Sequence, residues 1–71
     1  MIIKYIQLSR NLRRLREERG LSERDVARRI HEPLTVVEDL EANRLRPSIE
    51  QLVALSLALD VTVDEILQGV Y

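Results

Sequence analysis

At three expected helix starts in this chain a serine or threonine stands three places before an acidic or amide side chain: Ser22-x-x-Asp25, Ser48-x-x-Gln51 and Thr62-x-x-Glu65. At that spacing the hydroxyl accepts from the third backbone N–H of a helix, while the later side chain reaches back to the capping residue's own N–H. Each instance therefore marks a helix start. Leu, Glu and Arg, all good helix formers, dominate the chain, and apolar residues recur at spacings of three and four. Only two glycines and two prolines interrupt it. The pattern predicts an all-α domain.

Leu8, Leu12 and Leu15 form one stripe and place a first helix over about Ser9–Arg19. Gly20 closes it, because glycine adopts the left-handed conformation of a helix terminus freely. A second helix opens at Ser22 and buries Val26, Ala27 and Ile30. His31-Glu32-Pro33 makes a turn: Pro33 lacks an N–H and has a preset φ, which suits the beginning of a helix and not its interior. A third helix runs to about Ala42 with Val37 and Leu40 inward, and Asn43 to Pro47 is a loop. The fourth runs from Ser48 to Leu59, and a short fifth, capped by Thr62, buries Ile66 and Leu67. Residues 2–6 are open to two readings, a short strand or a first turn of the first helix. The expected division is an N-terminal extension, 1–8, and a helical domain, 9–71.

A formal net charge of −1 conceals two opposed halves. Residues 1–31 carry nine basic and four acidic side chains, and residues 32–71 carry two basic and eight acidic ones. An asymmetry from +5 to −6 points to a polyanion-binding face or a complementary partner. Seventy-one residues make one small domain with a modest core. With no cysteine there is no disulfide framework and no thiolate metal site, and a reducing, cytoplasmic compartment is expected. The longest apolar run, Leu52 to Leu59 with Ser56 interrupting it, falls far short of the roughly 20 residues that span a bilayer. His31 is the sole histidine, no serine stands beside a recognisable base, and no glycine-rich phosphate loop occurs. Acidic pairs such as Asp64-Glu65 sit in a helix first turn, where the macrodipole favours them. An enzyme, a metal site and a bound cofactor are not expected.

The order helix, three-residue turn, helix at residues 22–42 is a helix-turn-helix unit. Its text reads Leu12-Arg13-Arg14-Leu15-Arg16-Glu17-Glu18-Arg19-Gly20-Leu21-Ser22, then Val26-Ala27-Arg28-Arg29-Ile30. It goes on through Val37, Leu40-Glu41, Arg46-Pro47-Ser48, Leu52, Ala58-Leu59, Val61 and Asp64-Glu65-Ile66-Leu67. Over residues 11–67 the chain resembles the Cro and phage-repressor (xenobiotic-response-element) type of helix-turn-helix domain. The resemblance implies a five-helix, lambda-repressor-like DNA-binding domain that dimerises and lays its third helix in the major groove. It also implies a structural ion pair between Arg16, late in the first helix, and Glu41, ending the third.

Carried onto this chain, the DNA-facing positions are Ser22, Glu23, Arg24, Arg28, Pro33, Leu34, Thr35, Glu38, Asp39, Arg44 and Arg46, with Ala42 at the edge. The chain departs from the family pattern at two of its positions. Glu23 stands where a glutamine usually bonds a phosphate, and His31 stands where the turn usually has glycine. On the third helix no reading position is Arg, Lys, Asn or Gln, the residues that pair bidentately with guanine or adenine. Thr35 suits a phosphate or a base, Leu34 a thymine methyl, and Glu38 or Asp39 a cytosine amino group. Around this face, in the family's geometry, Arg24, Arg28, Arg44 and Arg46 balance Glu23, Glu32, Glu38 and Asp39, and Arg10, Arg13 and Arg14 of the first helix can add to the basic side.

Two functional readings follow. The first is a sequence-specific, homodimeric transcriptional regulator whose partner is double-stranded DNA, its recognition helices about 34 Å apart. The alternative is a protein-interaction module on the same fold, antitoxin-like or anti-repressor, docking through an apolar patch of Pro33, Leu34 and Val36 flanked by acids. The fourth helix carries Leu52, Leu55 and Leu59 on one stripe and Val53 and Leu57 on another. A helix apolar all round is covered on both sides. The second stripe is covered either by Ile2, Ile3, Tyr5 and Ile6 or by a second copy, in a dimer contact of Val53, Leu57, Val70 and Tyr71.

Overall fold

The computed structural model describes residues 5–70. It contains α1 (Tyr5–Glu18), α2 (Glu23–Arg29), α3 (Leu34–Glu41), α4 (Ile49–Leu59) and α5 (Val63–Ile66), with no strand among the described residues. All three capping boxes form. Ser22, Ser48 and Thr62 each accept from the N–H three places on, and Asp25, Gln51 and Glu65 reach back to the capping residue's own N–H.

α1 starts at least four residues earlier than the leucine stripe indicated, and Tyr5 and Ile6 are helical, not extended. Leu8 explains the difference. It lies four residues before Leu12 and seven before Leu15, so once those two are buried a continued helix buries it as well. The expectations that rested on residues 2–4 and on Tyr71 lie outside the described residues.

Helix ends repeat one device. After α1, α2, α3 and α4 the chain turns through a left-handed residue: Gly20 (φ 67°), His31 (φ 57°), Asn43 (φ 60°) and Asp60 (φ 54°). The next N–H then returns to a carbonyl five residues back: Leu21 to Arg16, Glu32 to Ala27, Arg44 to Asp39 and Val61 to Ser56, all at 2.9–3.2 Å. These bonds satisfy carbonyls that a helix end otherwise leaves open. Only the first of the four uses glycine. His31 therefore bears the steric penalty of the left-handed region, which asparagine and aspartate tolerate better. His31→Gly is expected to raise stability by about 0.5–1 kcal/mol, seen as a higher midpoint of thermal unfolding. A lower midpoint would show that the imidazole supports the turn through contacts of its own.

The core gathers Leu8, Leu12 and Leu15 of α1, Val26, Ala27 and Ile30 from α2 and its end, Val37 and Leu40 of α3, Leu55 and Leu59 of α4, and Ile66. Val70 joins it. Its side chain is 2% exposed within the protomer, so it faces the chain's own core and not a second copy, contrary to the dimer contact expected of it. The cause is Asn11. This buried amide donates from Nδ2 to the carbonyls of Ile66 and Gln68, both at 2.8 Å, while its Oδ1 accepts from Gln7. The chain after α5 is thereby drawn across α1, and Val70 is carried inward. No helix among the described residues is long and apolar enough to cross a membrane.

Candidate nucleic-acid interface

α2 and α3 pack against each other across the turn Ile30–Pro33, and α1 packs behind α3. What fixes α3 is the Arg16–Glu41 pair. Arg16 Nε donates to Glu41 Oε2 at 2.7 Å and Nη2 to Oε1 at 2.9 Å, the bidentate arrangement in which guanidinium and carboxylate fit best. Arg16 Nη1 donates to the Leu21 carbonyl at 2.8 Å, so one side chain ties α1, the α1–α2 turn and the end of α3. The two side chains are 13% and 8% exposed. The hydrogen bond to Glu41 holds the guanidinium above its ordinary high value; burial opposes this, and the charges of Glu41, Glu23 and Glu17 reinforce it. With its donors so engaged, Arg16 serves the fold.

Pro33, Thr35, Glu38 and Ala42 form the exposed face of α3, with Leu34 and Asp39 half-buried at its margins. Pro33 is the N-cap and supplies no side-chain bond, whereas the caps of α2, α4 and α5 all do. The first N–H groups of α3 thus have no side-chain acceptor, and such groups at a helix start suit an anion. At the start of α2, Ser22 Oγ accepts from Asp25 N–H. Bonds from the Ser22 backbone, and then from its hydroxyl, hold the Asp25 carboxyl below the usual carboxylate range.

The tally of charges changes once their neighbours are visible. Glu23 and Glu38 line a recess of about 230 Å³ together with Arg13, Arg16, Glu41 and Ala42. Arg13 of α1 lines the same recess, its Nε 3.6 Å from Glu17 on its own helix. Asp39 is paired with Arg44 at 2.9 Å. The Arg46 guanidinium lies 4.2 Å from the centre of the Tyr5 ring, a cation–π contact that orients it against α1. Arg24 and Arg28, one turn apart on α2, are exposed and form no ion pair among the described residues. Arg29 turns the other way, donating to the Ala58 carbonyl at 2.9 Å and fastening α2 to the last turn of α4.

Two structural roles had no sequence signal of their own, those of Asn11 and Arg29. Asn11 is legible only as a polar residue inside the apolar stripe of α1, and Arg29 as one arginine among many. The apolar patch expected on α3 is not present. Leu34 and Val36 are half-buried, Val36 packs on the core, and only Pro33 stands open. Exposed apolar surface lies instead on α4, where Ile49, Val53 and Leu57 follow one another at intervals of four and are 77%, 46% and 78% exposed. No described residue covers this row.

Comparison with known proteins agrees with this architecture. The family profile for helix-turn-helix domains matches residues 12–66. The HTH-type transcriptional regulator DdrOP3 of Deinococcus deserti is 38% identical over 65 residues, which cover 92% of this chain and 50% of that protein. The chain thus spans half the length of that relative. Among solved structures, the restriction-modification controller protein C.AhdI of Aeromonas hydrophila superposes with a TM-score of 0.84 at 26% identity, over 87% of this chain and 94% of that one. A hypothetical transcription factor, NHTF, from Neisseria gives the same score at 25% identity, over 89% of this chain and 72% of its own. The α2–turn–α3 unit, the clamp on α3 and the profile match across most of the chain lead to one conclusion: the chain belongs to the helix-turn-helix family of the Cro/C1 type.

Proposed function

We propose that this chain is a DNA-binding transcriptional regulator that acts as a homodimer on double-stranded DNA. The observation that carries the reading is the outward face of α3, held in place by Arg16 and Glu41, with an uncapped first turn. α3 enters the major groove. Thr35 and Leu34 meet base edges near its start, and Glu38 accepts from a cytosine amino group. Arg24 and Arg28 of α2 and Arg44 after α3 take backbone phosphates.

Dimerisation uses the apolar row of α4. Val53 and Leu57, extended by Ile49, meet their counterparts on a second copy and bring two recognition helices about one DNA turn, 34 Å, apart. The likeness to a transcriptional regulator and to a controller protein supports regulation as the outcome of binding. A titration of genomic duplex fragments at low salt tests the reading. Binding well below 10⁻⁴ M is expected, and failure of every fragment to bind more tightly than about 10⁻⁴ M, the weak end of non-specific affinity, would sink it.

A further inference from the structure

We infer that Asp39 is a positioning residue for DNA binding: it holds Arg44 so that the free end of the guanidinium meets a backbone phosphate. The inference rests on the DNA-binding reading above. It assigns to an acidic residue on the recognition helix an effect opposite in sign to the repulsion that its charge suggests.

Arg44 Nε and Nη2 each lie 2.9 Å from the same oxygen, Asp39 Oδ1. That contact occupies one side edge of the planar guanidinium and leaves Nη1 and the outer hydrogen of Nη2 open, a pair of parallel donors suited to a phosphate. The main chain joins the same two residues. Arg44 N–H donates to the Asp39 carbonyl at 2.9 Å, and Leu45 N–H donates to it at 3.2 Å, with the reversal made by Asn43 in the left-handed region. A backbone closure and a side-chain pair therefore fix Arg44 relative to the last turn of α3.

The side chains of Arg44 and Asp39 are 64% and 42% exposed, and pairs so open to water add little to fold stability. What the pair does supply is order. An arginine already held in one conformation loses less freedom when it binds than one that samples many. Its place decides the target. The beginning of a recognition helix reads bases and the loop beyond it follows the backbone, so a phosphate is the acceptor within reach.

The test compares wild type with Asp39→Ala, Asp39→Asn, Arg44→Ala and the double alanine variant. The probe is a duplex of about 20 base pairs enriched from a random-sequence pool by the wild-type protein. Arg44→Ala is expected to weaken binding about tenfold and to lower the steepness of the salt dependence by about one per protomer. Asp39→Ala is expected to weaken it about threefold, even though a negative charge is removed, and the double variant should bind no worse than Arg44→Ala. Asp39→Asn keeps an acceptor oxygen and should fall between wild type and Asp39→Ala. All four variants should melt within about 3 °C of wild type, since the pair is exposed.

Simple repulsion predicts the reverse sign, with Asp39→Ala binding more tightly. Base reading by Asp39 predicts a changed sequence preference and a loss additive with that of Arg44→Ala. Either result overturns the positioning role and leaves DNA binding intact. If no duplex enriches, the DNA-binding reading fails and this inference falls with it.

Discussion

Glu41→Ala is expected to lower the midpoint of thermal unfolding by at least about 12 °C. The variant strands the Arg16 guanidinium, 13% exposed, with only the Leu21 carbonyl as a partner. Removing one member of a buried pair costs about 3–5 kcal/mol because the other charge remains uncompensated. At about 4–8 °C per kcal/mol for a domain this small, the lower end of that range already gives the stated shift. Arg16→Ala should do comparable damage, since it strands the Glu41 carboxylate, 8% exposed, and also opens the α1–α2 turn. Replacing both together, Arg16→Met with Glu41→Leu, should recover much of the loss, because an apolar pair leaves no buried charge. Calorimetry on the three variants checks the cycle. A shift of only a few degrees in both single variants would mean that water reaches the pair and that α3 is held by packing alone.

Leu57→Glu carries the second large effect, on assembly and not on the fold. At 78% exposure the residue contributes little to its own protomer, so melting of the monomer should barely move. In a symmetric dimer each substitution acts twice. Burying one leucine is worth about 1.5–3 kcal/mol, so losing two weakens the dimer by at least about 100-fold before the cost of burying two carboxylates is added. DNA affinity should fall by a similar factor, because two half-sites then bind two independent chains. Sedimentation equilibrium and a duplex titration on the same samples measure both. A Leu57→Glu protein that remains dimeric would remove the Ile49, Val53, Leu57 row from the interface.

Helix starts were legible in this sequence because a capping box is a local object. Its two bonds join residues three apart, and Ser22, Ser48 and Thr62, each at the edge of an apolar run of helical period, announce α2, α4 and α5. The start of α1 has no such signal. Tyr5 and Ile6 fit a strand or a helix equally, and the burial of Leu8 decides for the helix. Helix ends were half legible. Gly20 reads as a terminus by its freedom, but His31, Asn43 and Asp60 adopt the same backbone without that mark.

The candidate site was legible as a set of positions and not as a set of charges. Formal charges add along a sequence, whereas their effect on a phosphate depends on neighbours supplied by other helices. Asp39 looks repulsive until Arg44 is seen beside it. Val70 was misplaced for a related reason. One apolar residue has no periodicity, and its direction is set by Asn11, 59 places earlier, holding the Ile66 and Gln68 carbonyls.

The most direct test of the central claim is the salt dependence of binding to an enriched duplex, followed by fluorescence anisotropy between about 50 and 200 mM monovalent salt with the stoichiometry determined in parallel. If Arg24, Arg28 and Arg44 of two protomers each neutralise a phosphate, log K falls with log salt at a slope of about −5, with two chains on each duplex. A flat dependence, or one chain per duplex, would contradict it.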